Sequence, residues 1–99
     1  MSVYVTLVQF TDQGIRNVKE SPKRFEAGTT ALASVGIKVL GGYYTMGAYD
    51  MVLITEAEDE QLITAALLAL GAQGNVRSTT MRAFSPAEFA AILQKIPPA

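Results

Sequence analysis

Two stretches of this sequence are apolar on both faces of the strand they spell. "VYVTLVQF", Val3 to Phe10, puts Val3, Val5 and Leu7 on one side and Tyr4, Thr6, Val8 and Phe10 on the other. "YDMVLITE", Tyr49 to Glu56, sets Val52 and Ile54 against Met51 and Leu53. Strands of this kind belong in the middle of a sheet with cover above and below. The fold must therefore supply two central strand positions and shelter both of their faces.

The other segments fill in around them. Thr11 to Glu20 contains Gly14 and reads as a loop with at most one helical turn. Ser21 reads as a helix N-cap with Pro22 at the first helical position, and the helix runs to about Val35, with Gly36 as its C-cap. Phe25, Leu32 and Val35 fall on one stripe of it. Ile37 to Met46 is a second strand, whose Gly41-Gly42 pair predicts a bulge or a close approach by another backbone. "AEDEQLITAALLALG" is a second helix. Its acidic first turn of Glu58, Asp59 and Glu60 suits the helix dipole, and Gly71 or Gly74 ends it. "NVRSTTMRAF" is a more polar strand, fit for an edge, with Arg77 and Arg82 on opposite faces. Ser85, Pro86 and Glu88 open a short terminal helix as a capping box, and Pro97-Pro98 ends it.

The order is βαββαβ plus a helix. This predicts one α+β domain over residues 1–99, ferredoxin-like, with a four-stranded antiparallel sheet and the first and third strands central. Helices in that plan cover one sheet face only. Whichever face they take, a large apolar patch remains, and such a patch implies a partner or a ligand. A second copy packed sheet to sheet as a C2 dimer is the first expectation.

Composition narrows the function classes. With 99 residues there is room for one core, and 49% hydrophobic against 17% charged residues marks a folded chain. A net charge of −1 offers no basic field for nucleic acid or an anionic membrane. The RNA-recognition fold shares this strand order, but "MGAYDMVLI" has an acid and a single aromatic where that function wants a basic residue, glycine and spaced aromatics. No apolar run approaches the ~20 residues of a bilayer span. "MSVYVTLVQF" lacks the basic region and cleavage site of a signal peptide, so a cytoplasmic home is expected. The absence of His and Cys removes imidazole ligands, thiolate nucleophiles and Ser–His pairs. Proton transfer would fall to Asp, Glu, Lys or Tyr. No cofactor motif is present, and Glu56, Glu58, Asp59 and Glu60 read as a helix start rather than a metal site.

The candidate site residues lie in and around "GGYYTMGAYD", Gly41 to Asp50. With Gly47-Ala48 as a two-residue hairpin loop, Met46 faces Tyr49, Thr45 faces Asp50 and Tyr44 faces Met51. Tyr49 and Asp50 then point to opposite sides of the sheet and form no dyad unless a bulge turns one of them. Asp50 either bonds Thr45, Thr6 or backbone N–H groups and fixes the register, or serves as a catalytic base with Tyr49 or Tyr44 as donor. Tyr44 and Met46, with Tyr49 and Met51, line either a pocket for a flat organic molecule or the core beneath the helices. Arg16, in a cluster with Lys19, Lys23 and Arg24, either closes over an anion at the first helix or sits on a solvated helix start. Tyr43 and Tyr4 are expected to meet another subunit.

"FTDQGIRNVKESPKR", "GAYDMVLITEAEDE" and "GNVRSTTMRAF" together resemble the GYD domain family, named for the neighbourhood that here is Gly47-Ala48-Tyr49-Asp50. The resemblance runs from Tyr4 to about Phe89. It implies a ferredoxin-like, dimeric α/β-barrel type of structure, often in larger homo-oligomers, and no settled activity. Three function classes follow: a homo-oligomeric module binding a small organic ligand beside the sheet, a cofactor-independent isomerase or monooxygenase using Asp50 as base, and a structural subunit of a larger assembly.

Overall fold

The computed structural model describes residues 1–99. Strand β1 (Ser2–Phe10) is followed by a short helix α1 (Asp12–Arg16) and a 3-10 turn at Val18–Glu20. Helix α2 (Ser21–Ser34), strands β2 (Lys38–Tyr44) and β3 (Met51–Ala57), helix α3 (Glu60–Ala72), strand β4 (Val76–Ala83) and helix α4 (Pro86–Leu93) complete the chain. The sheet order is β2-β3-β1-β4, antiparallel throughout. The two strands that are apolar on both faces are the two central ones, and the polar β4 is an edge.

Register decides which face the helices take. Tyr4 pairs with Thr55, Thr6 with Leu53 and Val8 with Met51. These six side chains are all buried, and they face α2 and α3. Tyr4, Ile37, Ala57 and Ile63 form the core cluster, with Leu32, Leu62, Ala66 and Leu67 packed against it. Tyr4 is therefore a core residue 3% exposed, not the subunit contact its sequence position implied. The opposite face carries Val3, Val5, Leu7, Val52, Ile54, Tyr43 and Met81, and no element of the chain covers it.

Several local expectations are refined. The loop after β1 holds a five-residue helix, capped by Thr11, whose hydroxyl accepts from Gly14 N–H at 3.1 Å. Gly14 is in that helix because nothing larger fits. A Cβ there would stand 1.9 Å from Asn75 O. The α1 start is tied to the same segment: Thr11 N–H donates to Asn75 O at 3.1 Å and its hydroxyl donates to Gly74 O at 2.6 Å. Ser21 is not the N-cap of α2 but its first residue: Glu20 holds the cap position without a side-chain cap bond, and the Ser21 hydroxyl bonds the Tyr44 hydroxyl at 2.9 Å. Gly36, at φ 88°, follows the C-cap of α2. In β2 the register shifts between Val39 and Gly41, so the bulge falls at Leu40. The close approach is at Gly42, but to a ring rather than a backbone: a Cβ would meet Phe25 at 2.6 Å. Asp59 caps α3 through Leu62 N–H at 2.7 Å, which commits one of the acidic residues to the helix.

The hairpin is wider than a two-residue turn. Strands β2 and β3 pair from Tyr44–Met51 onward, and Thr45 N–H donates to Asp50 O at 2.9 Å. Gly47 has a positive φ of 108°, but Met46 is 98% exposed and is paired across to nothing.

Helix α4 opens with the full capping box of Ser85 and Glu88. Arg82 pairs with Glu88 at 3.2 Å and lies over the Phe84 ring at 4.4 Å, so this edge arginine is used within its own chain. Phe89, Leu93 and Ile96 stay exposed, and no other element packs extensively on α4.

Two measurements check these points. Helix propensity alone would have Gly14→Ala stabilise the fold by up to ~1 kcal/mol. The Asn75 carbonyl reverses the sign: urea unfolding should show a loss of about 2 kcal/mol, as for other overpacked sites. The Ser85 N–H and the Arg82 guanidinium hold the Glu88 carboxyl below its ordinary 4.5. Its support of α4 is thus complete above that value and is lost as pH falls through the lowered one. Ser85 amide protection should drop over that acid range in the wild type and stay flat in Glu88→Gln.

Candidate functional site

Helices α2 and α3 lie on the same face of the sheet, but the residues they turn toward each other are small. Gly28 and Ala31 on α2 and Ala66 and Ala69 on α3 border a cleft of about 310 Å3. Thr6, Val8, Phe10, Met51, Leu53 and Thr55 form its floor. That volume is at the lower end of the ~300–1,000 Å3 range of small-molecule pockets.

The cleft is graded along its length. Helix α2 begins, and α3 ends, at the Phe10 end of the sheet, where Ser21, Arg24, Gln73 and Asn75 contribute polar groups. The far end, beside Leu32 and Ile63, runs into the apolar core. Arg24 is the one ionisable side chain in the lining. It donates through Nη1 to Asn17 O at 3.0 Å, while its Nη2 is buried without a hydrogen-bond partner. The chain's single ion pair is Arg82–Glu88, so no carboxylate neutralises Arg24. On the floor, the Thr6 hydroxyl bonds the Thr80 hydroxyl at 2.8 Å, but the Thr55 hydroxyl, on a residue 1% exposed, has no partner. A buried polar group left unpaired costs about 1–3 kcal/mol.

The residues singled out from sequence are dispersed. Thr6 lies in the cleft floor, and Tyr44 touches the cleft edge through Ser21. Met51, the core alternative for the Tyr-Met stripe, is buried in the floor. Met46 and Arg16 are exposed, and Thr45 donates its hydroxyl to Tyr49 O at 2.7 Å. Asp50 reaches neither Thr45 nor Thr6 through its carboxylate, although its backbone carbonyl accepts from Thr45 N–H. Its carboxylate accepts from Phe10 N–H at 2.8 Å, and its own N–H donates to Val8 O at 2.8 Å. Because Met51 also faces Val8, two residues on the β3 side address one on β1, the count of a bulge. Asp50 thus closes the end of β1 from outside the cleft lining. No cluster of three or more Asp and Glu is placed to hold a metal ion, and no helix is long and apolar enough to cross a membrane.

What sequence reasoning passed over is the i, i+3 spacing of small residues, Gly28 with Ala31 and Ala66 with Ala69. The same spacing serves helices that pack closely, so spacing alone does not separate a cleft from a contact.

Two substitutions probe this geometry. Asp50→Ala leaves the Phe10 N–H unmatched and should cost about 1–3 kcal/mol in urea unfolding, with Asp50→Asn costing clearly less. Gly28 has nothing within 4 Å of an added Cβ and does not have a positive φ. Gly28→Ala should therefore stabilise by about 0.4–1 kcal/mol.

Comparison with known proteins bears on this architecture. A curated relative in Thermus thermophilus, named glutamine synthetase and cystathionine beta-lyase binding protein, is 30% identical over 95 residues, covering 95% of this chain and 100% of the relative. Two solved structures share the fold. TTHA0845, also from Thermus thermophilus, matches with a TM-score of 0.54 and 22% identity over 86% of this chain and 95% of its own. FFRP-DM1 matches with a TM-score of 0.56 and 17% identity over 85% of this chain and 100% of its own. The GYD domain family model matches residues 4–93. With that match over nearly its whole length, the chain belongs to the GYD domain family.

Proposed function

We propose that this chain is a homo-oligomeric binding module, with the open sheet face joining copies and the cleft between α2 and α3 receiving a small organic molecule. The observation that carries the oligomer is the excess of surface. A compact monomer of 10.6 kDa exposes roughly 5,500 Å2. This chain exposes 6915 Å2 and buries only 11 of its 99 residues. The surplus of roughly 1,400 Å2 exceeds the ~800 Å2 that each partner gives to a standard interface. It is matched in shape by a radius of gyration of 15.4 Å, against about 13 Å for a compact chain of this length. The uncovered face is where a second copy would take up that surface.

Binding is favoured over catalysis by the chemistry of the cleft. Its lining holds no Asp, Glu, Lys or Tyr, so Arg24 is its only charged group and no general base faces the space. Asp50, the base that an isomerase or monooxygenase reading would use, has its carboxylate on a backbone N–H instead. A purely structural subunit would leave the cleft without a role.

A second reading has its own support. The Thermus relative is named for binding two enzymes, so the exposed apolar surface here could dock a protein partner in place of, or alongside, another copy. Native mass spectrometry and sedimentation separate these readings. The wild type should run as a multimer of the 10.6 kDa subunit, and Ile54→Lys, on the open face, should reduce it to a folded monomer. A wild type that stays monomeric at high concentration removes the self-association. Retention on immobilised glutamine synthetase or cystathionine beta-lyase, lost in the same variant, would support the protein-partner reading.

A further inference from the structure

Taking the cleft as a binding site, as proposed above, we infer that its ligand class is an amphipathic monocarboxylate, an apolar chain or ring with one anionic end held at Arg24. The cleft has one polar end and one apolar end, and a ligand that fills it must share that polarity. At the polar end the only charge is positive. Arg24 keeps Nη2 buried and unpartnered, and it has no carboxylate in its own chain. The buried Nη2 is a donor left without an acceptor, and an anion entering the cleft would supply one.

The neighbours of Arg24 point the same way. It sits in the first turns of α2, a 14-residue helix with no acid in its first turn and no side-chain cap on its end. The positive end of that helix therefore faces the same region as the guanidinium. Ser21 lines the cleft beside it, its hydroxyl in contact with that of Tyr44. A guanidinium presents two parallel N–H donors to a carboxylate, so a planar monoanion suits it.

The remaining space sets the body of the ligand. Beyond the polar end the walls are aliphatic or aromatic: Phe25, Leu32, Ile63, Ala66 and Leu67. At about 310 Å3 the cleft stands at the small end of ligand pockets, which limits the body to a short chain or a single ring. An eight-carbon acid is of that size. The unpartnered Thr55 hydroxyl in the floor gives a further preference for a body carrying a hydroxyl or carbonyl away from the carboxylate.

Isothermal titration and two-dimensional NMR with octanoate, octanol and octylamine test the assignment. Octanoate should bind at least tenfold tighter than octanol, the worth of one charge-assisted hydrogen bond. Octylamine should bind weakest. Arg24→Gln should weaken octanoate at least tenfold more than octanol, and so abolish the preference. Gly28→Leu, which fills open space from α2, and Ala66→Phe, from α3, should each remove binding of both, with folding checked by thermal melts. Equal affinity for octanoate and octanol, or an octanoate preference that survives Arg24→Gln, would overturn the carboxylate assignment while leaving the cleft as a site. Binding of none of the three probes would overturn both.

Discussion

The β1–β3 pairing is the constraint on which the rest depends. It runs in register from Ser2–Ala57 to Val8–Met51 and places two strands without a polar face side by side. One side, with Tyr4, Thr6, Val8, Met51, Leu53 and Thr55, must be covered by helices, and α2 and α3 supply that cover. The other, with Val5, Leu7, Val52 and Ile54, has no cover within the chain. Because side chains alternate with period two, a one-residue slip would exchange these sets and carry the threonines to the open face. Asp50 stands at the end of this pairing, where its carboxylate takes the Phe10 N–H and its own N–H takes Val8 O.

The cleft and the open face follow from how the helices meet that sheet. Small residues on the facing sides of α2 and α3 leave volume between them, and the large side chains that would fill it are absent. Phe25 turns toward Gly42 instead, where the missing Cβ makes room for its ring. The helix side of the sheet is thus incompletely filled, and the other side is unfilled. A chain so arranged has two unmet demands, one of a size for a small molecule and one of a size for a macromolecule.

The Arg24 guanidinium ties these packing facts to chemistry. Its cluster with Arg16, Lys19 and Lys23 is visible in the sequence, but four basic residues near a helix start are most simply a solvated surface. The structure separates them: Arg16 stays at the exposed end of α1, while Arg24 turns to the cleft with one nitrogen buried. On α2 itself, the step of one residue around the helix divides the exposed Lys23 from Arg24 at the cleft.

The sequence by itself determined the element order, the identity of the central and edge strands, the α4 capping box and the surplus of apolar sheet. Each of these is written locally, in periodicity two or 3.6 and in cap residues a few positions apart. Only the tertiary structure decided the rest. It put Tyr4 in the core, placed Ser21 inside α2 with its hydroxyl on that of Tyr44, and sent the Asp50 carboxylate to Phe10 rather than Thr45. It also decided that Gly14 answers to Asn75, in the connection between α3 and β4. These outcomes depend on contacts between segments far apart in the chain, where distance and direction in space, not spacing in sequence, choose the partner.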